Sequence, residues 1–278
     1  MAKRILSKTE GNNIKTVLIL TIPRSGSSLL AGILHRLGIP MGNPFDLSKG
    51  KHLNKYGCYE DQEFQRINLN ILFESGLLLD LTKRLDINED LLERKVQKYN
   101  DRIKNFIRSR KKEIWGFKDP ALSYIVPYVH QLFENPYYIH LKRDIADTAA
   151  SLYKTSRFRY WLPELKEKFP LFSWRNRFLL IPTAIFLLFR KFREYKGIDT
   201  YYEVVKKGHE RIEKFLADKK YIEIHIENLL RNPRHMLNVI IDFLEISPTE
   251  DQINEALNFI NPDILGNYQA KYKSLEYH

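Results

Sequence analysis

At 278 residues, 44% of them apolar, the chain can bury a proper core, and its composition excludes a disordered polymer. A lone cysteine, Cys58, excludes an internal disulfide and a cysteine-rich metal site, so a reducing compartment is expected. The formal charge of +11 points to an anionic partner (nucleotide, nucleic acid, acidic glycan or lipid headgroup), with part of the excess being ordinary solvated surface.

The first fifteen residues are polar and lysine-bearing and lack the apolar run of a signal peptide, so a cytoplasmic location is expected. The apolar run Val17-Leu-Ile-Leu-Thr-Ile22 reads as a buried strand that empties into Pro23-Arg24-Ser25-Gly26-Ser27-Ser28. Leu30, Ile33, Leu34 and Leu37 then follow the spacing of a helix, with Gly38 placed to end it. Further strands are expected at 113–117, 137–142 and 221–226. Helix-period stretches lie between them, which argues for a parallel α/β sheet with crossover helices. Near the far end, Ser247-Pro248-Thr249-Glu250 predicts a cap, a first-turn proline and a reciprocal glutamate for a helix through Ile253, Leu257 and Ile260.

No repeat or Pro/Gly/Ser linker interrupts the sequence, so one domain over 1–278 is expected. The block between the first two strands, charged from Lys83 to Lys112, and the block from Lys154 to Lys220 both exceed what a crossover needs. They are expected to build a binding pocket above the sheet. The most apolar stretch, 178–189, is flanked by Arg175, Arg177, Arg190, Lys191 and Arg193 and interrupted by Pro182. It is too short to cross ~30 Å of hydrocarbon and reads as a core or lid helix. The second reading is a basic-flanked segment resting on a membrane surface or taking an apolar acceptor. Arg157, Phe158, Arg159, Tyr160 and Trp161 mix basic and aromatic character, but no nucleic-acid motif accompanies them and no nucleic-acid partner is expected.

A loop between strand and helix gathers backbone N–H groups, hydroxyls and one arginine around a small volume at the positive end of a helix dipole, which suits an oxyanion. The usual phosphate loop places a lysine and a metal-binding hydroxyl after its last glycine. Here Gly26 is followed by Ser27 and Ser28, and the basic residue, Arg24, comes before it. The bland reading is a serine-capped helix start. A second anion site is expected where the strand Tyr138-Ile-His-Leu-Lys-Arg143 ends and a helix carrying Ser151 begins, because ligands of open α/β sheets bind at the carboxyl ends of strands. An arginine there can equally pair with Asp144 or Asp147.

Together these elements resemble the sulfotransferase family, whose members use 3′-phosphoadenosine 5′-phosphosulfate (PAPS). The first loop is similar to the R-S-G-[ST]-[ST]-L-L form of the 5′-phosphosulfate loop in bacterial and carbohydrate-type members, and R-D-x-x-D-x-x-x-S over Arg143 to Ser151 resembles the 3′-phosphate site. Tyr56-Gly-Cys-Tyr-Glu-Asp61 and Trp115-Gly-Phe-Lys-Asp-Pro120 also match the bacterial branch. The resemblance implies a P-loop-like three-layer α/β fold with helical inserts around the acceptor. It implies Arg24, Ser25, Gly26, Ser27 and Ser28 as the 5′-phosphosulfate cradle, and Arg143 with Ser151 as the 3′-phosphate site. The two sites would stand at opposite ends of one nucleotide. Two departures stand out: Ile145 replaces the usual proline after R-D, and Ile226-Glu227-Asn228 replaces the Tyr-Glu-Asp stretch that stacks adenine in cytosolic members.

Sulfuryl transfer needs a base on the acceptor hydroxyl or amine and a cation near the leaving oxygen, and no metal. The resemblance implies Glu60 as the base, with Asp61 and Glu63 as rivals. Lys118, at a strand end, is the candidate cation, with a Lys118–Asp119 structural pair as the plain alternative. His52, His130, His140 and His225 show no metal-ligand spacing, and His140 and His225 read as structural strand residues. The acceptor is expected to be a small molecule, carbohydrate or lipid-linked compound. Two other readings stay open: a phosphotransferase that uses Asp119 to hold metal, and a non-catalytic module binding anions or a membrane surface.

Overall fold

The computed structural model describes residues 14–42, 59–155, 168–180, 182 and 197–260. Four parallel strands, β1 (Lys15–Leu20), β2 (Ile114–Lys118), β3 (Pro136–Lys142) and β4 (Tyr221–His225), form a sheet in the order β2-β1-β3-β4. All four fall where the apolar runs predict them. The boundaries shift for local reasons. Thr21 leaves the ladder because its N–H donates to Ser123 Oγ, and Ile226 leaves β4 because it opens a helix.

Helices α1 (Ser27–Arg36), α2 (Gln62–Glu74), α3 (Glu89–Lys98), α4 (Asn100–Arg110), α5 (Leu122–Val129), α6 (Ile145–Thr155), α7 (Ile198–Leu216), α8 (Ile226–Arg231), α9 (Pro233–Leu244) and α10 (Glu250–Phe259) cover the sheet. Val17 and Ile19 point to one face, into a core with α1, α8, α9 and α10. Leu18 and Leu20 point to the other, into a larger core with α2 to α7. This double covering is why β1 reads as an uninterrupted apolar run rather than an alternating one.

The described helices of both charged blocks bury apolar faces in the core. Leu92, Val96, Ile103, Phe106 and Ile107 of α3 and α4 are buried against the sheet, leaving their charges on the outer face. Likewise α7 buries Tyr201, Val204, Val205, His209, Ile212 and Leu216 at helical spacing. Gly38 ends α1 as expected, with φ +90° and its N–H donating to His35 O, while Ile39 N–H reaches Leu34 O. The cap of α10 differs from the expected one. Thr249 caps the helix, and the reciprocal side chain is Gln252, three residues on, rather than Glu250. Pro248 therefore precedes the cap instead of opening the helix. Among the described residues no helix is long and apolar enough to cross a membrane.

Candidate active site

The loop after β1 is tied to β3 and to the start of α5 before it turns. Thr21 Oγ1 donates to Leu141 O at 2.9 Å, and Ser123 Oγ donates to Thr21 O at 2.8 Å. Ser25, fully buried, donates its hydroxyl to Ile22 O at 2.8 Å, so this hydroxyl staples the loop. Gly26 is the N-cap of α1 with φ +87°, and a Cβ there would lie 2.9 Å from Ile226 Cγ1. Only glycine meets both demands. No side chain caps α1, contrary to a serine-capped start, so the first turn presents its backbone donors to the loop. Ser27 is buried and Ser28 half-buried at this turn.

Lys118 ends β2 on the same rim and is almost fully buried. Its ammonium lies 2.8 Å from Glu60 Oε1 and donates to Ser28 Oγ at 3.3 Å. Glu60 is held from both sides in sequence. Tyr59, with φ +50°, accepts a hydrogen bond from Arg36 Nη1 on α1 and packs edge-on against Phe259. Asp61 caps α2 through Glu63 N–H and pairs with Arg110 Nε at 2.8 Å. Asp61 is thereby occupied, and Glu63 sits outside against Arg110 at 3.4 Å. Of the three rival carboxylates, Glu60 alone faces Lys118. Tyr56, Gly57 and Cys58 of the same motif lie outside the described residues.

Two groups that no motif predicted complete this cluster. Gln65, one turn into α2, donates to Glu60 Oε2 at 2.6 Å. Lys168 acts through its charge on both Glu60 and Asp119. Burial alone would raise the Glu60 pKa. The charges of Lys118 and Lys168 and the bonds from Lys118 and Gln65 outweigh it and hold the carboxyl below its ordinary value. Asp119 goes the other way: burial and the nearby Glu60 charge push it up to about 6, although it accepts the Ala121 N–H at 2.7 Å. The cation thus pairs with Glu60, and Asp119 serves the turn into α5.

The second anion cluster forms at the end of β3. Arg143 is buried, donates from Nη1 to Arg24 O at 3.3 Å, and pairs through Nη2 with Asp147 Oδ2 at 3.2 Å. Ser151, buried two turns into α6, accepts from Arg24 Nε at 3.2 Å. With φ +75°, Arg24 turns toward α6. Its side chain reaches Ser151 and its carbonyl accepts from Arg143, so the two expected anion sites meet at Arg24. Glu227, where cytosolic sulfotransferases carry their Tyr-Glu-Asp stretch, accepts the Asp144 N–H at 2.9 Å. Ile226 is buried beneath Gly26.

Sequence spacing offered no metal ligands, yet folding brings His140, Glu213 and Glu223 within 4.8 Å of one another. Lys142 lies between the two carboxylates, at 2.7 and 2.6 Å, so its own ammonium balances them. His140 is structural, as expected: buried against His209 with ring nitrogens 3.0 Å apart. His225 is more exposed and contacts Glu223 at 2.8 Å.

A parallel α/β sheet with a tight loop at a helix N-terminus after its first strand, a buried lysine–carboxylate pair beside it and an arginine and a serine one strand away fits a group-transfer enzyme. The comparisons narrow this class. The sulfotransferase domain family matches residues 15–275, and the chain belongs to it. It is a transferase that moves a sulfuryl group. Among solved structures, sulfotransferase STF1 from Mycobacterium tuberculosis H37Rv is similar in fold, at 12% identity and a TM-score of 0.51, covering 88% of this chain and 71% of its own. Sulfotransferase STF9 from Mycobacterium avium matches at 12% identity and 0.49, covering 89% and 68%. The sulfotransferase domain from the curacin biosynthetic pathway matches at 18% and 0.46, covering 86% and 76%. A search of curated proteins found no match.

Proposed function

We propose that this chain, acting as a single domain, transfers the sulfuryl group of PAPS to the hydroxyl or amine of a small-molecule, carbohydrate or lipid-linked acceptor in the cytoplasm. The observation that carries the reading is the convergence on one sheet rim of Lys118, Glu60 and Ser28 at the start of α1, with Arg24, Arg143 and Ser151 beside them. The backbone of Arg24 to Ser28 and the hydroxyls of Ser27 and Ser28 would cradle the 5′-phosphosulfate. Arg143 and Ser151 would hold the 3′-phosphate, with Arg24 bridging, since a guanidinium offers a fork of donors.

Glu60 takes the proton of the acceptor as its oxygen or nitrogen bonds to sulfur. The bond from sulfur to the leaving phosphate oxygen breaks in the same in-line step, and the electron pair stays with that oxygen. Lys118 serves the charge there. In the ligand-free arrangement Lys118 is bonded to Glu60, which keeps that carboxylate a weak base. Drawing the ammonium toward a bound phosphosulfate would release Glu60 and strengthen it.

The test is calorimetric titration of the chain with 3′-phosphoadenosine 5′-phosphate, with and without magnesium. Metal-independent binding that Arg143→Ala weakens by ~1.5–3 kcal/mol, the value of a charged hydrogen bond, supports the reading. No binding, or binding that requires magnesium, overturns it.

A further inference from the structure

Among the described residues the three most exposed large apolar side chains lie together on the helical stretch 174–180. Trp174 and Phe178 are each 75% exposed and Leu179 is 49% exposed, and the two rings meet edge-on at 6.3 Å. The inner side of this helix carries one buried amide and one buried leucine. Asn176 is buried and donates to Asn70 Oδ1 at 2.8 Å and to Glu74 Oε1 at 3.1 Å, while Asn70 also accepts the Ser173 N–H. Leu180 and Phe172 are buried against Leu69 of α2. The helix is thus pegged to α2, and its apolar ridge is held outward.

A water-facing helix ordinarily keeps its large apolar side chains inward, and a fixed outward ridge of them marks a contact surface. Its neighbours say what kind. Arg175 is exposed beside Trp174, and in the sequence Arg190, Lys191 and Arg193 follow the apolar run, within a chain of charge +11. Trp, Phe and Leu on one side with a basic fringe is the composition of helices that lie in a lipid headgroup layer. Charge complementarity favours an anionic one.

We propose that the ridge of Trp174, Phe178 and Leu179 docks the protein on an anionic lipid bilayer. The helix is pegged to α2 at Leu69, Asn70 and Glu74, and Glu60 directly precedes the cap at the other end of α2, about 20 Å or less along that helix, so docking would hold the transfer site near the membrane and favour a hydroxyl or amine carried on a lipid. This last step rests on the proposed sulfuryl transfer; the surface itself does not.

The experiment is co-sedimentation of the full chain with vesicles of phosphatidylcholine alone and of phosphatidylcholine with phosphatidylglycerol, with 3′-phosphoadenosine 5′-phosphate titrated in parallel. Wild type should bind the anionic vesicles, less at high salt, and the double variant Trp174→Ala with Phe178→Ala should lose roughly tenfold or more in partitioning. Nucleotide binding should be the same in both. Failure of wild type to bind anionic vesicles, or equal binding by the double variant, overturns the proposal. So does self-association of wild type that the double variant abolishes without any vesicle binding, because the ridge would then dock a second copy. Vesicle binding with no nucleotide binding would instead remove the donor reading and leave the surface standing.

Discussion

Lys118 and Glu60 come from segments 58 positions apart, and they meet at 2.8 Å with both side chains almost out of water. A buried pair of this kind fixes geometry as much as it stabilises, because each charge is costly without the other. Glu60→Gln keeps the shape and should retain nucleotide binding while lowering turnover by ~10²–10⁴-fold. Lys118→Met should destabilise by about 3–5 kcal/mol, since Glu60 is left charged and uncompensated. It should also move the acid limb of kcat/KM to higher pH, because the group holding the Glu60 pKa down has gone. A Glu60→Gln variant with wild-type turnover would remove Glu60 from the role of base.

Gly26→Ala would force a positive φ on alanine and push its Cβ against Ile226. A loss on the order of 1–3 kcal/mol in chemical denaturation is expected. Gly26→Ala in an Ile226→Ala background, which removes both Cγ1 and Cδ1, should lose only the backbone part relative to Ile226→Ala alone.

Asp119 gives a pH signature of unusual sign. Its folded pKa, about 6, lies above the unfolded value of 3.8, so between these values the native state binds the extra proton. Stability contributed by this group is therefore present below pH ~4 and lost as the pH rises through ~6. Asp119→Asn keeps an acceptor for the Ala121 N–H and removes the buried charge. The melting temperature of the variant, relative to wild type, should rise progressively across that window and stay higher at neutral pH.

His140 and His209 act in the opposite direction. Burial first, and then for His140 the neighbouring imidazole and for both the Lys142 charge, lowers them to about 3 and about 4. Below pH 6.5 the unfolded chain takes up protons that the native pair refuses, so stability falls as pH drops from about 6.5 toward 4. Replacing both with leucine should flatten this limb in a series of melts. An unchanged slope would show that the pair is protonated in the native state.

The local signals were read correctly wherever one short segment decides its own conformation. Strands β1 to β3 were legible because each is buried and rich in apolar residues, β4 because Ile222 and Ile224 alternate with polar residues on an edge strand, and Gly38 because only glycine closes that helix turn without strain. The positions of Gly26 and Lys118 at strand-to-loop junctions of one sheet rim were legible because such a junction announces itself. The Thr249–Gln252 cap was misread by two positions, since Ser247 and Thr249 are equally good caps and only the entry angle of the chain separates them.

The sequence by itself determined a parallel α/β sheet, a tight glycine-containing loop after the first strand and a family resemblance that the family match over residues 15–275 bears out. These rest on apolar period, turn chemistry and motif order, all of which are local. Only the tertiary structure decided which partner each charge takes. It gave Asp61 to Arg110 and left Glu60 to Lys118, turned Arg24 toward Ser151, brought in Gln65, and placed Lys142 between Glu213 and Glu223. Those choices depend on which side chains share a buried volume, and spacing along the chain does not encode that when crossovers of very different length separate the strands.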